Sequence, residues 1–172
     1  MDISVLPIII LLPLVLGTTL VSWLKQFSRG VTALAAIGIS LSSLVLLLLH
    51  APDVLNGQVI QQTWRWLPEL GLNLSFRLDA LGLLFALLIS GIGTLIFIYA
   101  YYYLGPKNSL RKLYMLLMLF MAAMLGIALS NNLILLLTFW ELTSISSFLL
   151  VGYWSNYDAA QRGSRMALTI TG

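Results

Sequence analysis

The sequence has no cysteine and few charged residues. Without thiols it can form neither a disulfide framework nor a thiolate metal site. Charged residues make up 9% of the chain, against roughly a quarter in an ordinary soluble domain. Hydrophobic residues make up 60%, and the mean hydropathy is +0.98. This composition excludes a soluble globular protein and predicts a membrane protein.

The sequence also lacks the patterns expected of a nucleic-acid-binding protein or of a nucleotide-dependent enzyme. The formal net charge is +3, but the basic residues lie in short connections between apolar runs, where they act as topology signals. There is no phosphate-binding glycine loop and no nucleophile motif. We therefore expect a lipid bilayer as the surroundings, with no nucleic-acid partner and no cofactor.

Long runs of apolar residues predict an all-α polytopic membrane protein. A membrane core of about 30 Å needs roughly 20 helical residues at about 1.5 Å each. We predict five transmembrane helices and the start of a sixth, at residues 3–24, 31–49, 80–104, 113–129, 133–154 and 166–172 onward. The last run covers only seven residues. We therefore expect residues 1–172 to form a single transmembrane domain that is incomplete at its C-terminus.

A short β-hairpin is predicted between the second and third spans. Residues Leu72–Leu78 alternate strictly between apolar and polar side chains, as a half-buried strand does. Residues 63–67 alternate less cleanly, and the turn-forming stretch 68–71 lies between the two segments. We expect this hairpin to rest on the membrane surface with its tryptophans among the lipid headgroups.

The distribution of basic residues predicts the orientation of the chain. The first, third and fifth connections together carry seven Lys and Arg residues, and the second carries two. By the positive-inside rule, the N-terminus and the hairpin lie outside, while Lys25, Lys107 and Arg162 face the cytoplasm.

Glu141 is the one charged residue within the predicted spans. It lies nine positions after Asn132 and twelve before Tyr153, which places it about 14 Å and 18 Å from the two helix ends, near the membrane midplane. An ionised carboxylate at that depth must take up a proton or find a basic partner. We therefore identify Glu141 as the candidate proton or ion relay. The alternative is a structural ion pair that holds two helices together.

Hydroxyl side chains surround Glu141 on the same helix. Residues three positions apart share a helix face, so Thr138, Glu141 and Ser144 fall within about 120° of arc. Such a stripe could hold water. The other three hydroxyl residues, Thr143, Ser146 and Ser147, point in neighbouring directions, and a simple helix-packing surface accounts for all of the hydroxyl residues equally well.

The remaining polar and small residues favour structural roles. His50, the single histidine, stands at the end of the second span and is expected at the interface. A metal site is not expected, because no second ligand lies within a span. Asp79 precedes the third span and is typical of a helix N-cap. Gly91 and Gly93 indicate close helix packing.

One stretch resembles a known family of membrane proteins. Residues 132–154 read NLILLLTFWELTSISSFLLVGYW and resemble the antiporter-like subunits shared by Mrp sodium/proton antiporters and respiratory complex I. The segments FRLDALGLLFALL (76–88) and RMALTITG (165–172) support the resemblance. Within residues 140–148, WELTSISSF is most similar to the large A-type component of Mrp antiporters.

The resemblance implies a subunit of a hetero-oligomeric cation/proton antiporter in the plasma membrane of a bacterium. In that family the glutamate equivalent to Glu141 pairs with a lysine on a later helix and serves a hydrated proton path. Protons and Na⁺ or K⁺ are the implied ions, and the chain is an ion-transporter subunit rather than an enzyme. Two alternatives remain: a proton-translocating subunit of a complex I-like NADH:quinone oxidoreductase, and a membrane scaffold that transports nothing.

Overall fold

The computed structural model describes residues 5–17, 19, 28–67, 72–105 and 110–154. The described chain forms five α-helices and two β-strands in the order α1 (Val5–Leu11), α2 (Arg29–Leu55), β1 (Ile60–Leu67), β2 (Leu72–Leu78), α3 (Ala80–Tyr103), α4 (Leu110–Leu129) and α5 (Leu133–Val151). A π-helical turn, Leu12–Leu16, continues α1, and a 3₁₀ turn, Gly152–Trp154, follows α5. Helices α2 to α5 are long and apolar enough to cross a membrane, as expected of a multi-pass membrane protein.

The helix bounds follow the apolar runs closely, with the largest difference at α2. The apolar run predicted residues 31–49, whereas the helix extends over Arg29–Leu55. It begins earlier because the Ser28 hydroxyl accepts a hydrogen bond from the Val31 amide at 3.4 Å. At its other end the helix continues through the polar turn that follows the apolar run and includes Pro52. Residues 3, 4, 18 and 20–24 of the predicted first span and all of the predicted sixth lie outside the described residues.

The two strands form the predicted antiparallel hairpin. The pairs run from Ile60 opposite Leu78 to Leu67 opposite Leu72, with an irregularity between Arg65 and Leu67. The first strand is longer than its alternating segment indicated. The hairpin is therefore confirmed as an element, and it connects α2 to α3.

Helix α4 forms the centre of the described bundle. It packs against α1, α2, α3 and α5. Small side chains allow this close approach, since Ala122 and Ala123 are fully buried and Gly126 lies one turn further along. The larger side chains of Tyr114 and Met118 are also fully buried. This central helix is the direct neighbour of the helix that carries Glu141.

A buried polar contact joins α2 to α3. The Ser40 and Thr94 hydroxyl oxygens are 2.7 Å apart, and Thr94 donates its own proton to the Ser90 carbonyl at 2.8 Å. The Ser40 hydroxyl, which also lies 3.5 Å from the Met121 sulfur, can therefore donate to Thr94. Because an unpaired hydroxyl in hydrocarbon is costly, this hydrogen bond favours one relative position of the two helices.

Candidate functional site

Helix α5 carries the candidate residue, and its first turn is defined by Asn132. The Asn132 side-chain oxygen accepts a hydrogen bond from the Ile134 amide at 2.9 Å. Its backbone carbonyl accepts the first intrahelical bond, from the Leu136 amide, also at 2.9 Å. Asparagine is among the strongest N-cap residues because it satisfies an amide that has no partner within the helix. Hydrogen bonds between Asn132 and residues two and four positions later thus fix the start of α5.

Phe139 fixes the rotation of α5 against α4. A methyl group placed on Gly126 would lie 2.3 Å from the Phe139 ring, so the ring occupies the space that any side chain at Gly126 would need. The Phe76 ring of β2 lies on Phe139 as well, with centroids 6.4 Å apart. Phe139 is therefore held between the central helix and the hairpin.

Glu141 points away from α4. Two residues along a helix correspond to a rotation of about 200°, so a Phe139 that faces α4 sends Glu141 to the opposite side. The Glu141 side chain is accordingly exposed, and its neighbours on that side are also exposed: Ile134 (52%), Leu137 (52%) and Ile145 (47%). We call this surface of α5 the open face. No other element in the described part of the chain covers it.

Among the residues that the structure describes, no basic side chain forms an ion pair with Glu141. The single ion pair in this part of the chain joins Arg77 to Asp79 at 3.2 Å. Charged groups on the elements that pack against α5 lie towards its two ends. Arg77 belongs to the hairpin, and Lys112 of α4 lies 5.9 Å from the centre of the Tyr153 ring, just beyond α5. Among the described residues, therefore, no counter-charge for Glu141 is present.

The predicted hydroxyl stripe is only partly exposed. Thr138 lies on the open face with Glu141 and donates to the Ile134 carbonyl at 2.8 Å. Ser144 is buried (5% exposed) and donates to the Trp140 carbonyl at 3.4 Å. Ser146 is fully buried, as expected of a helix-packing residue, while Thr143 and Ser147 are half-buried.

The loop between α4 and α5 is joined to the edge of the hairpin by an isolated β-bridge and side-chain hydrogen bonds, a feature that the sequence did not predict. Ser130 forms an antiparallel bridge with Phe76. The Asn131 amide donates to the Ser75 carbonyl at 2.9 Å, and its side chain donates to the Ser75 hydroxyl at 3.3 Å. The Asn132 side chain donates to the Asn73 carbonyl at 3.4 Å. The free edge of β2 is thereby covered along these residues.

A cavity of about 300 Å³ lies between the hairpin and the first two turns of α5. Its polar lining residues are Asn73, Asn132 and Thr138, and the rest of its lining is apolar. Thr138 precedes Glu141 by one turn. The cavity therefore extends from the hairpin towards the turn that carries the carboxylate.

The other sequence candidates have structural contacts. The His50 ring bonds to the Leu46 carbonyl of its own helix at 2.8 Å. Asp79 caps α3 by accepting from the Gly82 amide at 2.8 Å, as predicted. Gly93 packs closely, since an added methyl would lie 3.1 Å from the Met121 sulfur, whereas Gly91 has no described atom within 4 Å of that position. Within the described residues no group of three His, Asp or Glu side chains could hold a metal.

The chain is similar to antiporter subunits over nearly all of its length. It is 42% identical, over 98% of its residues, to a probable K⁺/H⁺ antiporter protein of the A/B type from Rhizobium meliloti (strain 1021). It is 39% identical, again over 98%, to the A1 component of a Na⁺/H⁺ antiporter from Staphylococcus aureus. The chain spans 17% and 21% of the length of these two relatives.

Family and structure comparisons agree with this relationship. Residues 64–112 match the family described as "NADH-Ubiquinone oxidoreductase (complex I), chain 5 N-terminus". The Mrp complex from Dietzia sp. DQ12-45-1b contains a chain with a TM-score of 0.65 and 26% identity, covering 96% of this chain and 18% of that one.

One chain of an archaeal membrane-bound sulfane sulfur reductase shares this fold over part of its length, with a TM-score of 0.80 at 22% identity; the match covers 96% of this chain and 25% of that one. At that identity the likeness concerns the fold alone. The antiporter relatives, which are similar in sequence, confirm the resemblance that residues 132–154 indicated.

Proposed function

We propose that this chain, which is similar over 98% of its length to A-type components of cation/proton antiporters, forms the N-terminal helices of such a component in a bacterial plasma membrane. It belongs to an ion transporter and is not an enzyme. Glu141 is its proton or ion relay. The observation that carries this proposal is a carboxylate near the middle of a 19-residue apolar helix, on a face that α4 and the hairpin leave open.

The physical argument concerns the charge of Glu141. An ionised carboxylate in hydrocarbon costs several kcal/mol, and such groups normally face the interior of a bundle or a hydrated cavity. The open face is therefore an interior face of the complete protein, where a lysine from a later helix supplies the counter-charge. Protonation of Glu141 would release that lysine, and its deprotonation would restore the pair. Proton movement is linked to the position of a positive charge in this way.

The names of the relatives support the choice of exchanged ions. Those relatives are named as Na⁺/H⁺ and K⁺/H⁺ antiporter subunits, so exchange of a monovalent cation against protons is the activity proposed. Because one solved relative is part of a multi-subunit complex, the partners are the other subunits of a hetero-oligomer. The N-terminus and the hairpin lie outside.

A complex I-like proton-translocating subunit is the second candidate, favoured by the family match at residues 64–112. The chemistry at Glu141 would be the same, but electron transfer elsewhere would supply the energy. Membrane vesicles separate the two candidates. An antiporter exchanges cations when an imposed pH gradient is the sole driving force, whereas a redox-driven pump requires NADH and a quinone.

The decisive variant is Glu141→Gln in the full-length protein within its complex. Glutamine keeps the shape of the side chain and removes the titratable charge. Cation-driven proton movement in everted vesicles should fall to background while the complex assembles normally. Asp53→Asn is the matched control, because Asp53 is an exposed carboxylate at the end of α2; its exchange rate should be unchanged.

Two outcomes would contradict the relay. Wild-type exchange by Glu141→Gln would show that the carboxylate takes no part in transport. Loss of the assembled complex in Glu141→Gln, together with its recovery when an apolar pair replaces Glu141 and its partner lysine, would support a scaffold instead.

A further inference from the structure

We propose that Asn132 is a positioning residue that, together with Phe139, sets the depth and rotation of Glu141 by tying α5 to the hairpin. The inference rests on the proposed role of Glu141 and adds a second element to the site. It is carried by contacts between β2 and the start of α5 that the helix itself does not need. We call these contacts the hairpin clasp and define it by Asn73, Ser75, Asn131 and Asn132.

One amide group in the clasp holds both elements. The Asn132 side-chain oxygen accepts from the Ile134 amide, while its nitrogen donates to the Asn73 carbonyl. A planar amide that is bonded at both ends couples the direction of the first helical turn to the position of β2. A serine cap would satisfy the helix equally well. The bond to Asn73 is therefore additional to capping.

Asn131 extends the clasp to both strands. Its backbone and its side chain both bond to Ser75, which is 7% exposed. The Ser75 hydroxyl in turn lies 3.0 Å from that of Thr63 on β1. These hydrogen bonds thus connect the start of α5 to both strands of the hairpin.

A second contact lies further along the helix. Phe139 follows Asn132 by seven positions, about 10 Å along the axis, and its ring lies against Phe76 of the same strand. Two attachments at different heights restrain both the depth and the rotation of a helix. Glu141 lies about 14 Å from Asn132 and about 3 Å beyond the second attachment, so a shift of α5 against the hairpin moves the carboxylate with it. Displacements of about 1 Å are enough to impair a positioned group.

The test separates the bond to Asn73 from helix capping. Asn132→Ser keeps an N-cap side chain and loses the donor to Asn73, whereas Asn132→Ala loses both functions. Gln58→Ser, at an exposed position just before the hairpin, is the control. Each variant is made in the full-length protein and studied in its assembled complex. The measurements are the exchange rate as a function of pH and the pH dependence of Glu141 labelling by dicyclohexylcarbodiimide.

We expect Asn132→Ser to assemble in wild-type amounts but to show displaced midpoints of both pH profiles. Asn132→Ala should show the same displacement with a lower yield of complex, and Gln58→Ser should match the wild type. If Asn132→Ser leaves both profiles unchanged, Asn132 is a helix cap and the proposal is wrong. A reduced yield with unchanged profiles in the surviving complex also overturns it.

Labelling distinguishes this proposal from the proposed function, because it needs no transport. Glu141→Gln gives the background of the labelling reaction. A displaced labelling profile in Asn132→Ser would support the clasp even if exchange by Glu141→Gln were normal and the relay role had failed.

Discussion

Phe139 of α5 lies against Gly126 of α4, where an added methyl group would come within 2.3 Å of its ring. The absence of a side chain at Gly126 lets the ring seat against α4, and this contact turns Glu141 to the opposite side of α5. Gly126, which has no side chain, thus determines the direction in which the Glu141 carboxylate points. Because of this contact, we expect the site to be more sensitive to substitution at Gly126 than at any other small residue near it.

Gly126→Ala should destabilise the protein and displace α5. Overpacking of a tight contact costs about 1–3 kcal/mol, which equals or exceeds the gain of about 1 kcal/mol that alanine brings to a helix relative to glycine. The measurement is the thermal unfolding midpoint of the full-length protein in detergent. Gly91→Ala in α3 is the control, since no described atom lies within 4 Å of the added methyl. Its midpoint should stay equal or rise, and equal midpoints for the two variants would contradict the observed contact.

The hydrogen bond between Ser40 and Thr94 should appear as an energetic coupling between α2 and α3. Ser40→Ala and Thr94→Val should each lower the unfolding midpoint, and Ser40→Ala should have little further effect in a Thr94→Val background. Side-chain hydrogen bonds between membrane helices average about 0.6 kcal/mol and reach about 1.7. Thr94→Ser keeps the hydroxyl and should stay near the wild type. Fully additive losses would show that the two hydroxyls do not interact.

Asp79 should prove structural and not part of the ion path. Asp79→Ala removes the acceptor for the Gly82 amide and should cost about 0.5–2 kcal/mol. Asp79→Asn keeps an acceptor and loses only the exposed ion pair with Arg77, which contributes at most about 1 kcal/mol. Its stability and its exchange rate should therefore resemble the wild type. A folded Asp79→Asn protein without exchange would place Asp79 in the ion path.

The elements that the sequence predicted are those defined by local pattern. The apolar run 80–104 predicted α3 to within one residue, because Asp79 before it and Gly105 after it are themselves boundary signals. The alternation at Leu72–Leu78 predicted β2 with its full length. Where the helix continued beyond its apolar run, at the polar last turn of α2, hydropathy alone missed the extension.

Contacts between distant segments were not predictable in this way. Ser130, Asn131 and Asn132 fall between the predicted spans 113–129 and 133–154 and indicated only a short connection. Nothing local specifies that Ser75, more than fifty residues earlier, would pair with them. The spacing placed Glu141 correctly in the middle of a helix but could not tell which way it faces. That direction depends on Gly126, whose role becomes visible once Phe139 lies against it.

Cysteine labelling can test the proposed orientation, because this stretch contains no native cysteine. Gln58 precedes the hairpin and Gly105 follows α3, and both are exposed. The 24 residues of α3 extend about 36 Å, which is enough to place the two positions on opposite sides of the membrane. In a cysteine-free background, a membrane-impermeant maleimide should label Gln58→Cys on intact cells and Gly105→Cys only after permeabilisation. The reverse pattern would put the hairpin, its clasp and the Asn132 end of α5 in the cytoplasm, and the seven-to-two excess of basic residues would then not have set the topology.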